Sequence, residues 1–183
     1  MFGWETVRIP DIEISITHLG ARLMHSFNED GIDADELSGD IIVFCFGEID
    51  VRCHVYKYKE KGFKNVIDEL VNDYFAKIQT YTDGFKKVCV YFVPPPVKRG
   101  DTEENEAFPF LGTNKERQRY TLYMNKKLAE GCKERGFIFI DIYDAYCDKD
   151  GFLRKDMSDG TVHIKDTEPL EKFIINNLLK EIK

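Results

Sequence analysis

The chain has 183 residues and a formal net charge of -7; 43% of its residues are hydrophobic and 32% are charged. These proportions predict a charged surface around a sizeable core, within a single domain that spans residues 1–183. Lys and Arg are dispersed among acidic residues, so we expect no nucleic-acid partner. The apolar run at residues 41–46 is far too short to cross a bilayer, so we expect no membrane span.

The cysteines and the N-terminus both favour a cytoplasmic location. The five cysteines are an odd number with no CxxC spacing, which is typical of reduced thiols rather than a disulfide framework. The first eleven residues lack a basic start followed by an apolar signal core. Oligomeric state is left open by these features.

The first half of the chain predicts two strands and a helix. Residues 13–19 alternate like a strand and end before Gly20, and residues 21–27 begin a helix or a turn. Residues 28–40 read as a polar loop with one helical turn. The continuous apolar run at 41–46 predicts a strand of a parallel sheet, buried on both faces. Residues 63–81 carry apolar side chains at three- and four-residue intervals, which predicts a helix.

The second half continues the alternation of strands and helices. We predict strands at residues 87–93 and 137–143, a long loop at 97–112, and helices at 113–135 and 167–182. Thr113 and Glu116 form a capping-box pattern at the start of the first of these helices. This order predicts an α/β three-layer sandwich with a mostly parallel sheet, of the flavodoxin-like type. Ligands of such folds bind at the carboxyl ends of the strands.

Glycines and charged residues collect at those predicted strand ends. Gly20 and Gly47 each follow a strand, where glycine permits a tight turn and exposes backbone N–H groups. Glu48, Asp50 and Arg52 alternate after Gly47 and would share one side of an extended backbone. We predict that these five residues, together with Arg22, bind substrate. An ordinary turn and a single ion pair are the competing interpretations.

A late loop carries a candidate general base. His163 follows Asp159 by four residues, and a carboxylate beside an imidazole fixes the tautomer of the ring and stabilises its protonated form. A metal site that uses Glu48, Asp50, His54 and His163 is an alternative, but their spacing matches no familiar ligand pattern. The sequence contains neither GxGxxG nor GxxxxGK[ST], and we predict no cofactor.

The order of these pieces resembles the SGNH (GDSL-like) hydrolase superfamily. The segments HLGARLMHSF, FGEIDVRCH and SDGTVHI are similar to an SGNH-like group found beside polysaccharide-assembly enzymes, over residues 18–164. The resemblance implies an oxyanion-hole role for Gly20, and it aligns Gly47 to Asp50 with the Gly-x-Asn-Asp block. It also implies an acid–base pair of Asp159 and His163 acting on a sugar or glycan.

The chain departs from the superfamily pattern at three places. No Gly-Asp-Ser block is present, Ile49 stands where the pattern has asparagine, and Asp159 and His163 are one residue further apart than usual. Ser26 is a substitute nucleophile by position, although a surface serine without an activating base is the commoner case.

Three functions follow from this pattern. The first is an esterase or O-acetyl transferase acting on carbohydrate. The second is a glycosyltransferase or other sugar-modifying transferase that has no serine nucleophile and uses His163, Glu48 or Asp50 as base. The third is a glycan-binding domain without catalysis, in which aromatic residues of the 97–112 loop would stack on a sugar.

Overall fold

The computed structural model describes residues 7–9, 12–17 and 19–179, which adopt an α/β fold around a parallel sheet. Its strands, among these residues, are β1 (Ile41–Phe44), β2 (Lys87–Tyr91) and β3 (Ile138–Ile140). They lie in the order β1-β2-β3, with Val43 opposite Cys89 and Tyr91 opposite Ile140. The predicted fold class is confirmed.

The helices are joined to these strands in the alternating order that the sequence predicted. They are α1 (Met24–Asp30), a π-helix (Asp50–His54) continuing into α2 (Val55–Lys57), α3 (Phe63–Gln79), α4 (Asn114–Arg135), α5 (Tyr143–Tyr146), and α6 (Glu168–Phe173) continuing into a π-helix (Ile174–Leu178). Short 3₁₀ turns lie at Ala34–Glu36, Lys59–Lys61 and Lys155–Met157. No helix in the described part of the chain is long and apolar enough to cross a membrane.

Two apolar clusters cover the two faces of the sheet. Ile42 and Phe44 of β1 belong to the first cluster, which includes buried residues of α1, α3 and α4. Ile41 and Val43 pack against the second cluster, which includes Leu170 of α6. Because alternate residues of a strand point to opposite faces, the clusters lie on opposite sides of one sheet. The molecule is therefore layered helix, sheet, helix.

The ends of several elements differ from the sequence prediction. Helix α4 begins at its predicted capping box, in which Thr113 Oγ1 accepts the N–H of Glu116 and the Glu116 carboxylate accepts the N–H of Thr113. The strand predicted at 137–143 is shorter, because the chain turns into α5 at Tyr143. Residues 180–182 of the predicted last helix lie outside the described residues.

The strand predicted at residues 13–19 is not observed. Residues 12–17 and 19 have no regular structure, and His18 lies outside the described residues. No described strand pairs with this stretch, although Ile12, Ile14 and Ile16 alternate with polar residues. A strand requires a ladder partner, and the sequence pattern alone does not supply one.

Candidate functional site

A close approach of three side chains explains the glycine after β1. Gly47 has a φ of +111°, and a Cβ placed there would lie 2.7 Å from Val93 Cγ2, 3.0 Å from Met124 Sδ and 3.4 Å from Met24 Cε. Both the backbone conformation and the available space therefore require glycine. The chain turns sharply at this residue and enters a helical segment at residue 48.

The helical segment corrects the prediction that residues 48–52 are extended. Glu48 and Arg52 are four residues apart and meet on one helical face, where Arg52 Nε lies 2.7 Å from Glu48 Oε1 and Nη2 lies 3.0 Å from Oε2. Both side chains are largely buried. This two-pronged pair neutralises both charges, so each has a structural partner before any ligand is present.

Arg52 also holds the 97–112 loop against the helical segment. Its Nη1 donates to the carbonyl of Phe108, and its guanidinium lies 5.4 Å from the ring centroid of Phe110. Arg117 of α4 contacts the same ring at 5.0 Å and donates to the carbonyl of Gly112 at 3.0 Å. Cation–π contacts to a buried ring stabilise such an arrangement. The long loop is therefore anchored at its C-terminal end.

Asp50 is a buried helix cap rather than a surface group. Its side chain is fully buried, and its carboxylate accepts the N–H of Met24 at 2.8 Å and that of His25 at 3.5 Å. These are orphan N–H groups at the start of α1, which a carboxylate satisfies. Burial raises the pKa of Asp50 to about 6, against the lowering effect of these hydrogen bonds. The predicted contact of Asp50 with substrate is corrected to this capping role, because its carboxylate faces α1.

Arg22 and Ser26 are engaged near the start of α1. Arg22 Nη2 lies 2.9 Å from Asp30 Oδ2 and 3.3 Å from the carbonyl oxygen of Ser26. The Asp30 side chain is exposed, so this ion pair contributes little to stability. Ser26 does not line the cleft described below.

The loop at residues 158–164 brings together a carboxylate, a hydroxyl and an imidazole. His163 Nδ1 lies 3.3 Å from Asp159 Oδ2 and 2.9 Å from Thr161 Oγ1. Thr161 Oγ1 in turn donates to Asp159 Oδ1 at 2.6 Å, and the Thr161 N–H donates to the same oxygen at 2.8 Å. The predicted Asp159–His163 pair therefore meets in space, with Thr161 connecting its two members.

The hydrogen bonds define which nitrogen of His163 carries a proton. The pKa of Asp159 is lowered: burial opposes the shift, but the hydrogen bonds from Thr161 and the contact with His163 outweigh it. An ionised carboxylate only accepts, so His163 Nδ1 is the protonated nitrogen. Burial also lowers the pKa of His163, although the charges of Asp159 and Glu48 oppose this shift. The ring is therefore neutral at pH 7, with the lone pair on Nε2 available as a base.

A large cleft joins most of the predicted residues. Its volume is about 1000 Å³, and it runs along β1 toward the carboxyl end of that strand. Six of the eight predicted site residues line it: Gly20, Arg22, Gly47, Glu48, Arg52 and His163. The other two do not line it: the carboxylate of Asp159 contacts His163 Nδ1, and the carboxylate of Asp50 accepts the N–H of Met24 in α1.

Thr161 is a site residue that the sequence prediction missed. It lines the cleft between Asp159 and His163, and its hydroxyl contacts both side chains. The available signal was the Ser-Asp-Gly-Thr turn, since Asp and Thr two residues apart commonly exchange hydrogen bonds in such turns. In the described residues, no group of three or more His, Cys, Asp or Glu side chains is arranged to hold a metal ion.

Comparison with known proteins adds a similarity of fold. No family model matches the chain, and no curated protein matches it. One solved structure, from Streptococcus pneumoniae and provisionally assigned as a platelet activating factor, matches with a TM-score of 0.59 and 19% sequence identity. The match covers 85% of this chain and 67% of that one. At this identity the likeness shows a shared fold and nothing about activity.

Proposed function

We propose that this protein is a carbohydrate-active enzyme of SGNH-like type, an esterase or O-acetyl transferase that uses Asp159 and His163. The observation that carries the proposal is the neutral imidazole of His163, held by Asp159 and Thr161 at the wall of a large cleft. An oriented, neutral imidazole is the usual general base for activating a hydroxyl. We further propose a cytoplasmic location, supported by the free thiols of Cys53, Cys89, Cys132 and Cys147.

In the proposed reaction, His163 Nε2 removes the proton from a hydroxyl as its oxygen attacks the carbonyl carbon of an ester. The hydroxyl belongs to the acceptor sugar for transfer, or to water for hydrolysis. The proton then passes to the leaving oxygen as the ester C–O bond breaks. Gly20 and Gly47 line the same cleft, and their backbone N–H groups are the proposed donors to the developing oxyanion. Asp159 keeps His163 in the required tautomer throughout.

The test is the turnover of acetylated sugars by His163→Ala and Asp159→Asn variants. We expect kcat/KM to fall about 10²- to 10⁴-fold for His163→Ala, which is the usual contribution of a general base. His25→Ala is the matched control, because His25 is a half-exposed histidine whose ring centroid lies 4.9 Å from that of His54, and it does not line the cleft. Turnover that is unchanged in both the Asp159 and His163 variants would overturn the proposal.

The pH dependence gives a second check. The pKa of His163 is lowered from 6.5. The kcat/KM of the wild type should therefore rise with pH to a plateau, and the midpoint of the rise should lie below pH 6.5. Asp159→Asn removes the negative charge beside Nδ1, so it should lower the plateau and lower this pKa further. A profile still rising steeply above pH 7.5 would contradict the assignment of His163 as base.

The transferase without a serine nucleophile remains the second candidate, favoured by the absence of a Gly-Asp-Ser block. Glu48 lines the cleft and its charge acts on His163, whereas Asp50 faces α1. Titration calorimetry with nucleotide sugars distinguishes this candidate from the first. A glycosyltransferase must bind a glycosyl donor, so this candidate predicts a measurable heat of binding. A glycan-binding domain without catalysis is the third candidate, and it predicts glycan binding that His163→Ala leaves intact.

A further inference from the structure

The loop that carries Asp159 and His163 is closed by backbone contacts. Ser158 and Ile164 form an antiparallel bridge, and the N–H of Asp159 donates to the carbonyl of His163 at 3.2 Å. Antiparallel contacts of this kind fix the spacing of the two chain segments that they join. Residues 158–164 therefore form a narrow turn with its two ends held together, called here the 158–164 turn.

The Ser158 hydroxyl orders the interior of this turn. It accepts the N–H of Gly160 at 3.0 Å and donates to the carbonyl of Thr161 at 2.9 Å. Gly160 has a φ of +95°, a backbone conformation that favours glycine. Bonds from a serine side chain to nearby backbone groups stabilise turns. The backbone of Thr161 is therefore held by the turn, although Thr161 itself is exposed.

The single hydroxyl proton of Thr161 is directed to Asp159. Thr161 Oγ1 lies 2.6 Å from Asp159 Oδ1, and the Thr161 N–H donates to the same oxygen at 2.8 Å. An ionised carboxylate accepts hydrogen bonds but cannot donate them, and it is a stronger acceptor than a neutral group. The hydroxyl therefore donates to Asp159, and its lone pairs remain to accept from other donors.

These lone pairs meet the donors of His163. Thr161 Oγ1 lies 2.9 Å from Nδ1 of the ring and 3.3 Å from the backbone nitrogen of His163. Asp159 Oδ2 is further from Nδ1, at 3.3 Å, whereas N–H···O bonds are usually about 2.7–3.2 Å long. The nearer acceptor for the Nδ1 proton is therefore the hydroxyl of Thr161, and the carboxylate is reached through it.

We propose that Thr161 is a positioning residue whose hydroxyl accepts the Nδ1 proton of His163 and couples the ring to the carboxylate of Asp159. The proposal rests on the proposed function, in which His163 is the base. No proton leaves Nδ1: the ring takes up the proton of the attacking hydroxyl at Nε2. The hydroxyl of Thr161, polarised by Asp159, then stabilises the positive charge of the ring. The Asp159–His163 spacing is one residue longer than in the superfamily pattern, and the hydroxyl bridges the gap of 3.3 Å between the two side chains.

Nitrogen-15 NMR of the His163 ring tests this bridge without any substrate, because it distinguishes a protonated ring nitrogen from an unprotonated one. We expect the wild type and Thr161→Ser to carry the proton on Nδ1 at pH 7.5, since serine keeps the hydroxyl. Thr161→Val has nearly the shape of threonine but no hydroxyl, and the fraction protonated at Nδ1 should fall at least twofold. Thr161→Ala lacks the hydroxyl as well, so it should show the same fall.

Turnover of acetylated sugars gives a second measurement. We expect kcat of Thr161→Val to fall about 10- to 100-fold with KM within about twofold, because the lost hydrogen bond supports the charged ring in the transition state. Thr161→Ser should stay within about threefold of the wild type. Thr167→Val is the matched control: the Thr167 hydroxyl also donates to a carboxylate oxygen, Glu171 Oε1 at 3.0 Å, but Thr167 does not line the cleft.

The bridge and the proposed function fail in different ways. If Thr161→Val and Thr161→Ala keep the proton on Nδ1 as fully as the wild type, the bridge is overturned, even where His163→Ala abolishes turnover. A rise in KM with unchanged kcat in Thr161→Val would also overturn it, by identifying Thr161 as a substrate contact. If the wild type turns over no acetylated sugar, the proposed function fails, and the NMR result alone decides whether the bridge exists.

Discussion

The buried carboxylate of Asp50 should make stability depend on pH in an unusual direction. Its pKa is raised from 3.8 to about 6 in the folded protein, which corresponds to about 3 kcal/mol. Between those two pH values the folded state binds the proton that the unfolded state releases, so the free energy of unfolding falls as pH rises. The stabilising contribution is complete below pH 3.8 and is lost as pH rises through about 6. Most paired surface carboxylates behave in the opposite way.

The Asp50→Asn variant isolates this effect. Asparagine keeps an oxygen acceptor for the N–H of Met24, but it does not titrate. We expect the unfolding free energy of the wild type, minus that of the variant, to fall by about 2.4 kcal/mol between pH 4 and pH 7.5. Urea unfolding at each pH, followed by circular dichroism, measures this difference. Asp73→Asn, on the exposed surface of α3, controls for the change in net charge.

The result that would refute this reasoning is a difference that stays constant or rises with pH. A constant difference would mean that the Asp50 carboxyl has the same pKa in the folded and unfolded states. A rising difference would mean that the hydrogen bonds from Met24 and His25 outweigh burial. Carbon-13 NMR of the Asp50 carboxyl provides an independent measurement, with a midpoint near pH 6 expected.

Three further substitutions test the packing and capping of the fold, each by its urea midpoint. Gly47→Ala should destabilise by about 2 kcal/mol or more, because its Cβ would meet Val93 at 2.7 Å; a loss below 0.5 kcal/mol would show that the turn relaxes freely. Thr113→Ala should cost about 1 kcal/mol by removing the hydroxyl that caps the N–H of Glu116, and an unchanged midpoint would contradict that role. Tyr74→Phe should be neutral or stabilising by about 1 kcal/mol, because the buried Tyr74 hydroxyl has no hydrogen-bond partner among the described residues; clear destabilisation would reveal a hidden partner.

Sequence patterns predicted the elements that depend on local signals. The start of α4 follows from Thr113 and Glu116, which satisfy each other within one helical turn. The periodicity of residues 63–81 predicted α3 almost to its ends, because its buried face repeats at helical spacing. Such signals lie within a few residues of one another and need no knowledge of the rest of the chain.

Two predictions failed because the deciding partners are distant in sequence. Residues 12–17 have a strand pattern, but a strand exists only when another strand pairs with it. Glu48 and Arg52 fit both a two-residue alternation and a four-residue helical spacing, and short segments do not distinguish the two. In the folded protein these residues are helical: Arg52 pairs with Glu48 one turn away, and it also donates to the carbonyl of Phe108, a residue distant in sequence.

The grouping of the candidate residues was predicted from the sequence, but their individual contacts were not. The rule that ligands bind at the carboxyl ends of parallel strands predicted that these residues gather at one edge, and six of the eight line one cleft. It could not separate His163, which lines the cleft, from Asp50, whose carboxylate caps α1. Burial of one acid among several depends on how distant segments pack, and this information is not present in the spacing of charges.

The end of β2 shows how one side chain can replace a strand. Past Phe92, whose N–H still donates to the carbonyl of Ile140 at 3.3 Å, the side-chain amide of Asn125 becomes the partner: its Oδ1 accepts the N–H of Val93 at 2.7 Å, and its Nδ2 donates to the carbonyl of Val93 at 2.8 Å. The asparagine amide therefore imitates the peptide group of a neighbouring strand. Aspartate offers no donor, and glutamine is one methylene longer. Deep mutational scanning should consequently find position 125 far less tolerant than its half-buried place on α4 suggests.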